Sequence, residues 1–183
     1  MISWSAVARR VRVPLGFAFA ILYLWLANPT LKSILIGAGL VIPGLLIRAV
    51  ASGHLQKNEQ LASRGPYAYT RNPLYLGSLI LSVGFALAAR SWWIGAGIVA
   101  LFFVIYLPVI RGEEAFLRDR FPHFDEYARQ VPSLFPRITP HVSRSGEPGG
   151  VFSWDLYLKH REYNATLGSL AIMAALAMKM MMN

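Results

Sequence analysis

Five long apolar stretches alternate with polar segments along this chain of 183 residues. They are Val13–Ala27, Leu31–Val50, Pro73–Ala89, Trp92–Ile110 and Thr166–Met182. A helix needs about 20 predominantly apolar residues to cross a bilayer, with a range of about 17–25. The second and fourth stretches fit well, the third and fifth lie near the lower limit, and full crossing by the first stays open. The pattern predicts an all-α, polytopic membrane helix bundle with about five transmembrane helices.

Two polar segments, Ala51–Asn72 and Arg111–Tyr163, separate the later apolar stretches. The longer one is expected to begin as a helix continuing from the fourth stretch, until three X-Pro pairs break it. Ser143–Gly150 has the composition of a flexible linker. The aromatic and charged residues of Trp154–Tyr163 predict an interfacial helix that leads into the last apolar stretch.

The distribution of charge predicts the orientation in the membrane. With the N-terminus in the cytoplasm, fifteen of the eighteen Lys and Arg residues fall on the cytoplasmic side, and only Lys32, Arg90 and Lys179 fall on the other. This is the asymmetry of the positive-inside rule. All nine acidic residues and all four histidines share the cytoplasmic side. We therefore expect a bacterial inner-membrane protein with a cytoplasmic site, and the net charge of +9 needs no nucleic-acid partner.

Composition narrows the function classes. The chain is 55% hydrophobic and 15% charged, whereas soluble domains have about 25% charged residues, so the composition argues against a soluble globular protein and against disorder. The absence of cysteine excludes disulfide scaffolds, thiolate metal sites, iron–sulfur clusters and cysteine nucleophiles. Phosphate-loop, dinucleotide and serine-nucleophile motifs are missing from the sequence. No histidine pair has the helical spacing of a metal site, so we expect no metal.

The stretch from Gly65 to Gly77 places an arginine, three tyrosines and two glycines at one membrane boundary. Its structural interpretation is that Asn72 caps the third helix, Pro73 starts it, and the tyrosines lie at the interface. Its functional interpretation is a ligand site. Arg71 beside a helix N-terminus suits a carboxylate or phosphate, tyrosines suit a cation, and glycines allow close approach of a ligand.

Two adjacent carboxylates, Glu113 and Glu114, follow the fourth apolar stretch. They either solvate the exit from the membrane or accept hydrogen bonds from ribose hydroxyls or an ammonium group. A di-metal site is not expected, because no Glu-x-x-His pair accompanies them. The segment Phe121–Pro132 is expected to be an amphipathic surface helix with apolar anchors.

In order, Gly-Pro-Tyr, Arg-Asn-Pro-x-Tyr-x-Gly, Glu-Glu-x-x-Leu and Phe-x-x-Tyr-x-x-x-Val-Pro resemble the isoprenylcysteine carboxyl methyltransferase and phospholipid methyltransferase superfamily. The resemblance covers about Leu31–Arg137. It implies an integral membrane methyltransferase that uses S-adenosylmethionine. The cofactor pocket is then expected on the cytoplasmic side, roofed by the loop before the third apolar stretch and the segment after the fourth.

The resemblance also implies roles for individual positions. Arg71 is expected to bind the carboxylate of the cofactor or of an acidic acceptor. Arg129 lies near a substrate-facing arginine of the family, offset by about one residue, and completes the catalytic pair. Asn72 replaces the histidine of the Arg-His-Pro found in eukaryotic isoprenylcysteine enzymes, and cannot titrate. The expected cofactor-binding residues are His54, Gln56, Gly65, Tyr67, Arg71, Asn72, Pro73, Tyr75, Gly77, Glu113 and Glu114.

On this basis residues 1–144 form the methyltransferase core, and residues 145–183 form a linker, an interfacial helix and a final transmembrane helix. The acceptor is expected to be lipid-like or isoprenoid and to enter from the membrane lipids. Carboxyl O-methylation is favoured because a carboxylate needs no general base, whereas an amine must first lose a proton. Two alternatives stay open: an NADPH-dependent membrane reductase with a related helical core, and a non-enzymatic scaffold or transporter subunit. The sequence leaves the oligomeric state unknown.

Overall fold

The computed structural model describes residues 4–56, 60–141 and 151–182, and these residues form helices and turns without a β-strand. A short 3₁₀ helix, Gly65–Ala68, precedes α3, and a π-helical turn, Phe102–Tyr106, joins α4 to α5. The all-α class predicted from the sequence is confirmed. The α-helices are α1 Trp4–Leu26, α2 Leu31–His54, α3 Pro73–Ala89, α4 Trp92–Leu101, α5 Leu107–Arg120, α6 Phe124–Gln130, α7 Trp154–Lys159 and α8 Tyr163–Met182.

Three helical segments are long and apolar enough to cross a membrane: Leu31–His54, Trp92–Arg120 and Tyr163–Met182. The apolar helix α3 has 17 residues and is shorter. No more than 22% of the apolar window of any of the three segments is buried, so most of each surface is available to lipid. The chain has the architecture of a membrane protein. Five crossings and a cytoplasmic N-terminus stay predictions.

Most helix boundaries lie close to those expected from the sequence. Helix α3 begins at Pro73, and α2 runs through Pro43 to His54 without a break. The helical segment that starts at Trp92 continues through α5 into the polar region, as predicted, and ends at Arg120. Proline lacks an N–H, but membrane-spanning helices tolerate it because neighbouring helices and local adjustments satisfy the carbonyl that it leaves without a donor.

The region from Trp154 to Tyr163 differs from the expectation of one interfacial helix. Helix α7 ends at Lys159. Arg161 has a φ of 54°, and a residue with a positive φ cannot be part of a right-handed helix. Helix α8 therefore starts anew at Tyr163. The predicted linker Ser143–Gly150 and the boundary after residue 144 lie outside the described residues, and that domain division stays a prediction.

The chain divides into two compact units, and four helices contribute residues to both. The first unit comprises the described residues up to Ile42, Ile80–Ala115 and the described residues from Gly168 onward. The second comprises the described residues of Pro43–Leu79 and of Phe116–Leu167. Nearly all of the predicted site residues belong to the second unit.

Side-chain to backbone hydrogen bonds fasten the first unit. Tyr23 donates its hydroxyl to Phe85 O at 2.9 Å, and Ser33 Oγ donates to Ala88 O at 2.9 Å. Ser33 N donates to Thr30 Oγ1 at 3.3 Å, and Thr30 N donates to Ser33 Oγ at 2.9 Å, which together cap the start of α2. In an apolar environment each such bond satisfies a polar group that would otherwise be costly to bury.

The first unit also brings α2 and α3 together at two glycines. A Cβ on Gly37 would lie 2.6 Å from Gly84 O, and a Cβ on Gly84 would lie 2.8 Å from Gly37 O. Small residues let helix backbones approach closely, which is the usual way that helices pack in lipid.

Candidate functional site

The segment from Gly65 to Asn72 precedes α3 and is called the loop below. It begins with a glycine that no other residue can easily replace. Gly65 has a φ of +60°, and a Cβ there would lie 2.6 Å from His54 Nε2. The His54 ring is oriented by its Nδ1, which lies 2.8 Å from Val50 O and fits an N–H donor to that carbonyl. The side chain at the end of α2 therefore fills the space beside Gly65. Two residues predicted to bind the cofactor are in direct contact.

Arg71 joins this loop to the end of α6. Its Nη1 donates to Ala128 O at 2.7 Å and to Val131 O at 2.9 Å, and its backbone N donates to Pro132 O at 2.9 Å. The last carbonyls of a helix have no partner within the helix, and an arginine can satisfy them. The sequence predicted Arg71 as a ligand-binding residue. The structure shows that its guanidinium also holds the loop on α6.

Thr70 and Asn72 extend the same connection. Thr70 Oγ1 lies 3.0 Å from Ser133 O and 3.1 Å from Leu134 O, within reach of either carbonyl as a donor. Asn72 is buried, and its Nδ2 donates to Ser133 O at 3.0 Å. Because Pro73 begins α3 directly afterwards, these bonds fix the entry to that helix. Sequence reasoning did not identify Thr70 or Ser133.

A small apolar core packs against the loop. It consists of three buried residues: Phe124 and Tyr127 of α6, and Val131, which directly follows that helix. The Tyr127 hydroxyl donates to Tyr67 O at 2.7 Å, so the core is tied to the 3₁₀ helix of the loop. The predicted amphipathic helix is thus present, and its apolar face is the platform for the loop. Leu61, Leu117, Phe121 and Ala128 pack around this core.

The chain beyond α6 runs back along the loop. Arg137 N donates to Tyr69 O at 3.0 Å, and His141 N donates to Ala68 O at 2.8 Å. With the bond from Arg71 N to Pro132 O, three backbone bonds and the side-chain bonds of Thr70 and Asn72 therefore join the two segments. The motifs before α3 and after α6 are far apart in the sequence, but these bonds hold them side by side in the fold.

Gly77 lies where α3 meets α2. A Cβ there would lie 2.7 Å from Arg48 Cγ and 2.8 Å from Gly44 O. The sequence suggested that the glycines of this motif admit a ligand. In the structure the space beside Gly77 is occupied by α2, and the space beside Gly65 by His54, so both glycines serve the packing of the protein itself.

The remaining predicted residues lie on α3, α5 and α6 and just beyond the end of α2. Glu113 and Glu114 are half-buried on α5 and belong to the first unit, so their placement is described only within that unit. Arg129 is exposed on α6 in the second unit. Tyr75 follows Pro73 within the first turn of α3, and Gln56 follows α2; both are half-buried.

The donor set of these residues fits S-adenosylmethionine in its chemistry. The cofactor carries a carboxylate, an ammonium group, two ribose hydroxyls and a sulfonium. In the second unit, the guanidinium of Arg71 matches the carboxylate and the ring of Tyr75 matches the sulfonium, and in the first unit Glu113 and Glu114 are carboxylates of the kind that accept from hydroxyl and ammonium groups. Within the described ranges no group of three or more His, Cys, Asp or Glu side chains is arranged to hold a metal ion. The expectation of a metal-free site stays a prediction.

The family resemblance seen in the motifs is confirmed. Residues 47–123 match the phospholipid methyltransferase family. This segment begins within α2 and ends just before α6, and it contains every residue predicted to bind the cofactor. Arg129 lies beyond it.

Two curated proteins are similar to the chain over a longer stretch. The cobalt-zinc-cadmium resistance protein CzcN of Cupriavidus metallidurans is 36% identical over 122 residues, and the nickel-cobalt-cadmium resistance protein NccN of Alcaligenes xylosoxydans xylosoxydans is 34% identical over 122 residues. Each alignment covers 66% of this chain and 56% of the relative. The chain thus spans little more than half the length of these relatives. No solved structure matches the chain.

Proposed function

We propose that this protein is a membrane methyltransferase that takes its methyl group from S-adenosylmethionine and transfers it to a lipid-like or isoprenoid acceptor. One observation carries the proposal: the segment matching the phospholipid methyltransferase family, residues 47–123, contains the whole predicted cofactor set. The packing of the Thr70–Asn72 turn onto the residues that follow α6 supports it, because a fixed loop is what a preorganised binding site requires.

In this proposal the bound cofactor supplies an already activated methyl group. The residues of the chain then have to bind, orient and exclude water. Arg71 holds the carboxylate of the cofactor or of an acidic acceptor, and Glu113 and Glu114 accept hydrogen bonds from its hydroxyl and ammonium groups. Arg129, exposed on α6, is the residue proposed to meet the acceptor.

The acceptor is proposed to carry a carboxylate. A carboxylate is nucleophilic at neutral pH without a general base, whereas a protonated amine must first lose a proton. Amine N-methylation is therefore the less favoured form of the same proposal. The apolar helices with largely unburied surfaces support entry of a lipid-like molecule from the bilayer.

Calorimetric titration of S-adenosylhomocysteine into the detergent-purified full chain tests this function, with NADPH titrated in parallel. We expect saturable binding of S-adenosylhomocysteine and none of NADPH. Binding of NADPH alone would identify the alternative reductase. Binding of neither by folded protein would leave the non-enzymatic scaffold as the better account.

Neutral variants test the assignment of the residues. Arg71→Gln and Glu114→Gln are expected to weaken binding of S-adenosylhomocysteine by about tenfold or more, because each removes a charge-assisted hydrogen bond. Thr70→Val removes a contact to the same segment without removing a charge, and Asp119→Asn removes an exposed carboxylate from the same helix as Glu114. We expect Thr70→Val to lower thermal stability, and we expect Asp119→Asn to keep its affinity. Full affinity in both neutral variants would contradict the site assignment.

The two relatives support a second candidate, a contribution to resistance against divalent transition-metal ions. The chain has no cysteine, and the described residues hold no group of metal ligands, so such a role is proposed to act through methylation and not through metal binding. Expression in a metal-sensitive host, with Arg71→Gln as the control, tests it. Growth in cobalt or cadmium should improve with the wild-type chain only. Equal protection by the variant would contradict a role through methylation.

A further inference from the structure

An ion pair connects the segment before α8 to the part of the chain that matches the family. Arg48 Nη2 lies 2.8 Å from Glu162 Oε1, and Arg48 Nε donates to Glu162 Oε2 at 3.1 Å. The side chains are only 22% and 12% exposed. A charge with so little access to water is retained at low cost only when it is paired and hydrogen-bonded. The carboxylate of Glu162 therefore compensates the positive charge of Arg48.

Arg48 passes this connection on to α3. Its Nη1 donates to Ser78 Oγ and to Leu74 O, and its Cγ lies against Gly77, where a Cβ would come within 2.7 Å. Leu74 and Ser78 lie in the first two turns of α3, the helix that begins at Pro73 after Asn72. One guanidinium thus links Glu162 to the first two turns of α3, which carry Tyr75 and Gly77.

A second set of contacts joins the same segment to the end of α2. Ser153 N donates to Gly53 O at 2.9 Å, and His160 Nδ1 lies 3.2 Å from Ser52 O. The Phe152 ring fills the space beside Gly53, and its centroid is 5.9 Å from that of His54. His54 in turn fills the space beside Gly65. The segment thus supports Gly65 through His54 and Gly77 through Arg48.

We propose that Phe152–Glu162 forms a wall of the candidate site and that Glu162 is a positioning residue, which acts on the site through Arg48. The inference rests on the proposed function and extends it to a segment beyond residues 47–123. The segment reaches the site through Arg48 and His54, and Arg48 belongs to none of the sequence motifs from which the site was predicted.

The test compares the wild-type full chain with Glu162→Gln, Arg48→Gln, the double variant and Glu162→Asp. Asp125→Asn is the matched control, because Asp125 belongs to an ion pair with Arg118 in the same unit, where both side chains are more than half exposed. The probe is S-adenosylhomocysteine, titrated by calorimetry. Hydrogen exchange of peptides that span residues 65–77 and 152–163 provides a second measurement.

Glu162→Gln is expected to weaken binding by about tenfold, because it leaves a half-buried guanidinium without its carboxylate. Exchange should rise in both peptides and not elsewhere. If Glu162 acts through Arg48, the effects of the two single substitutions on affinity are not additive. The double variant then binds S-adenosylhomocysteine at least as tightly as the single variant with the lower affinity. Glu162→Asp should recover part of the affinity, and Asp125→Asn should bind like the wild type.

The outcomes separate the two proposals. If wild-type protein does not bind S-adenosylhomocysteine, the proposed function is wrong. If wild-type protein binds and Glu162→Gln binds equally well, or if the effects of Arg48→Gln and Glu162→Gln are additive, only the positioning role is wrong. If Glu162→Gln does not fold, the double variant, which buries no unpaired charge, replaces it, and wild-type affinity in that variant overturns the inference.

Discussion

Glycine and arginine residues of the candidate site are held by neighbours that the sequence did not reveal. Gly65 has a left-handed φ, and His54 fills the space where its side chain would be. Arg71 donates to two carbonyls at the end of α6 in addition to its proposed contact with ligand. A residue that appears in a binding motif can thus be required first for the shape of the loop.

Gly65→Ala is expected to reduce both stability and affinity for S-adenosylhomocysteine. An L-residue in the left-handed region costs about 1–2 kcal/mol, and the new methyl group would also displace the His54 ring. Thermal unfolding and calorimetry of the purified variant provide the measurement. Gly95→Ala is the control, because a Cβ at Gly95 meets nothing within 4 Å. Similar stability of the two variants would show that the turn does not require glycine.

Helices α2 and α3 approach each other through glycines in each unit. In the first unit the contact is between Gly37 and Gly84, and in the second it is between Gly44 and Gly77. Polar side chains then fix the ends: Ser33 donates to Ala88 O, and Arg48 donates to Leu74 O. Close backbone packing with a few hydrogen bonds is how helices associate where lipid offers no hydrophobic driving force.

Gly37→Ala is expected to destabilise the helix pair by about 1–3 kcal/mol, because the added methyl group overlaps the facing backbone and forces the helices apart. Gly39→Ala, on the same helix, should be neutral or slightly stabilising, since a Cβ there meets nothing within 4 Å. Thermal unfolding in detergent compares the two. Equal midpoints would contradict the close contact between α2 and α3.

Charge is distributed unevenly over the protein. Fifteen of the eighteen Lys and Arg residues and all nine acidic residues fall on the side predicted to be cytoplasmic. One of the three exceptions is Lys179, whose Nζ donates to Leu24 O at 2.7 Å and to Trp25 O at 2.9 Å at the end of α1. A lysine at the end of a helix satisfies carbonyls that have no partner within it.

The predicted orientation can be measured because the chain has no cysteine. Ser91→Cys should react with a membrane-impermeant maleimide in intact bacterial cells, since it lies between α3 and α4 on the side with few positive charges. Asp125→Cys should react only after the cells are permeabilised. The opposite pattern would place the site outside the cytoplasm and would contradict the proposed supply of cofactor.

Much of this architecture is predictable from the sequence because its signals are local. The start of α3 at Pro73 follows from an N-cap residue before a proline. The helical segment that starts at Trp92 continues past Pro108 and Gly112, and the residues from Glu113 to Arg120 that extend it are mostly helix formers. The break at Arg161 was not predicted. No glycine or proline marks it, and it depends on how the flanking segment packs.

For the candidate site, motif spacing identified the loop around Arg71 but not what the loop touches. The bonds of Thr70 and Asn72 to Ser133 join residues about sixty positions apart. The pairing of Arg48 with Glu162 spans 114 positions. Contacts of this kind leave no periodic pattern, because any of several residues could satisfy the same polar group.

The sequence alone determined the helical class, the apolar stretches and the family resemblance, because each depends on residue type and spacing along the chain. The tertiary structure decided which neighbours fill the space beside Gly65 and Gly77, which carbonyls Arg71 satisfies, and that Glu162 compensates Arg48. These outcomes depend on how helices pack in three dimensions. A half-buried charge or an unpaired carbonyl must find a partner, and only the folded chain specifies which one.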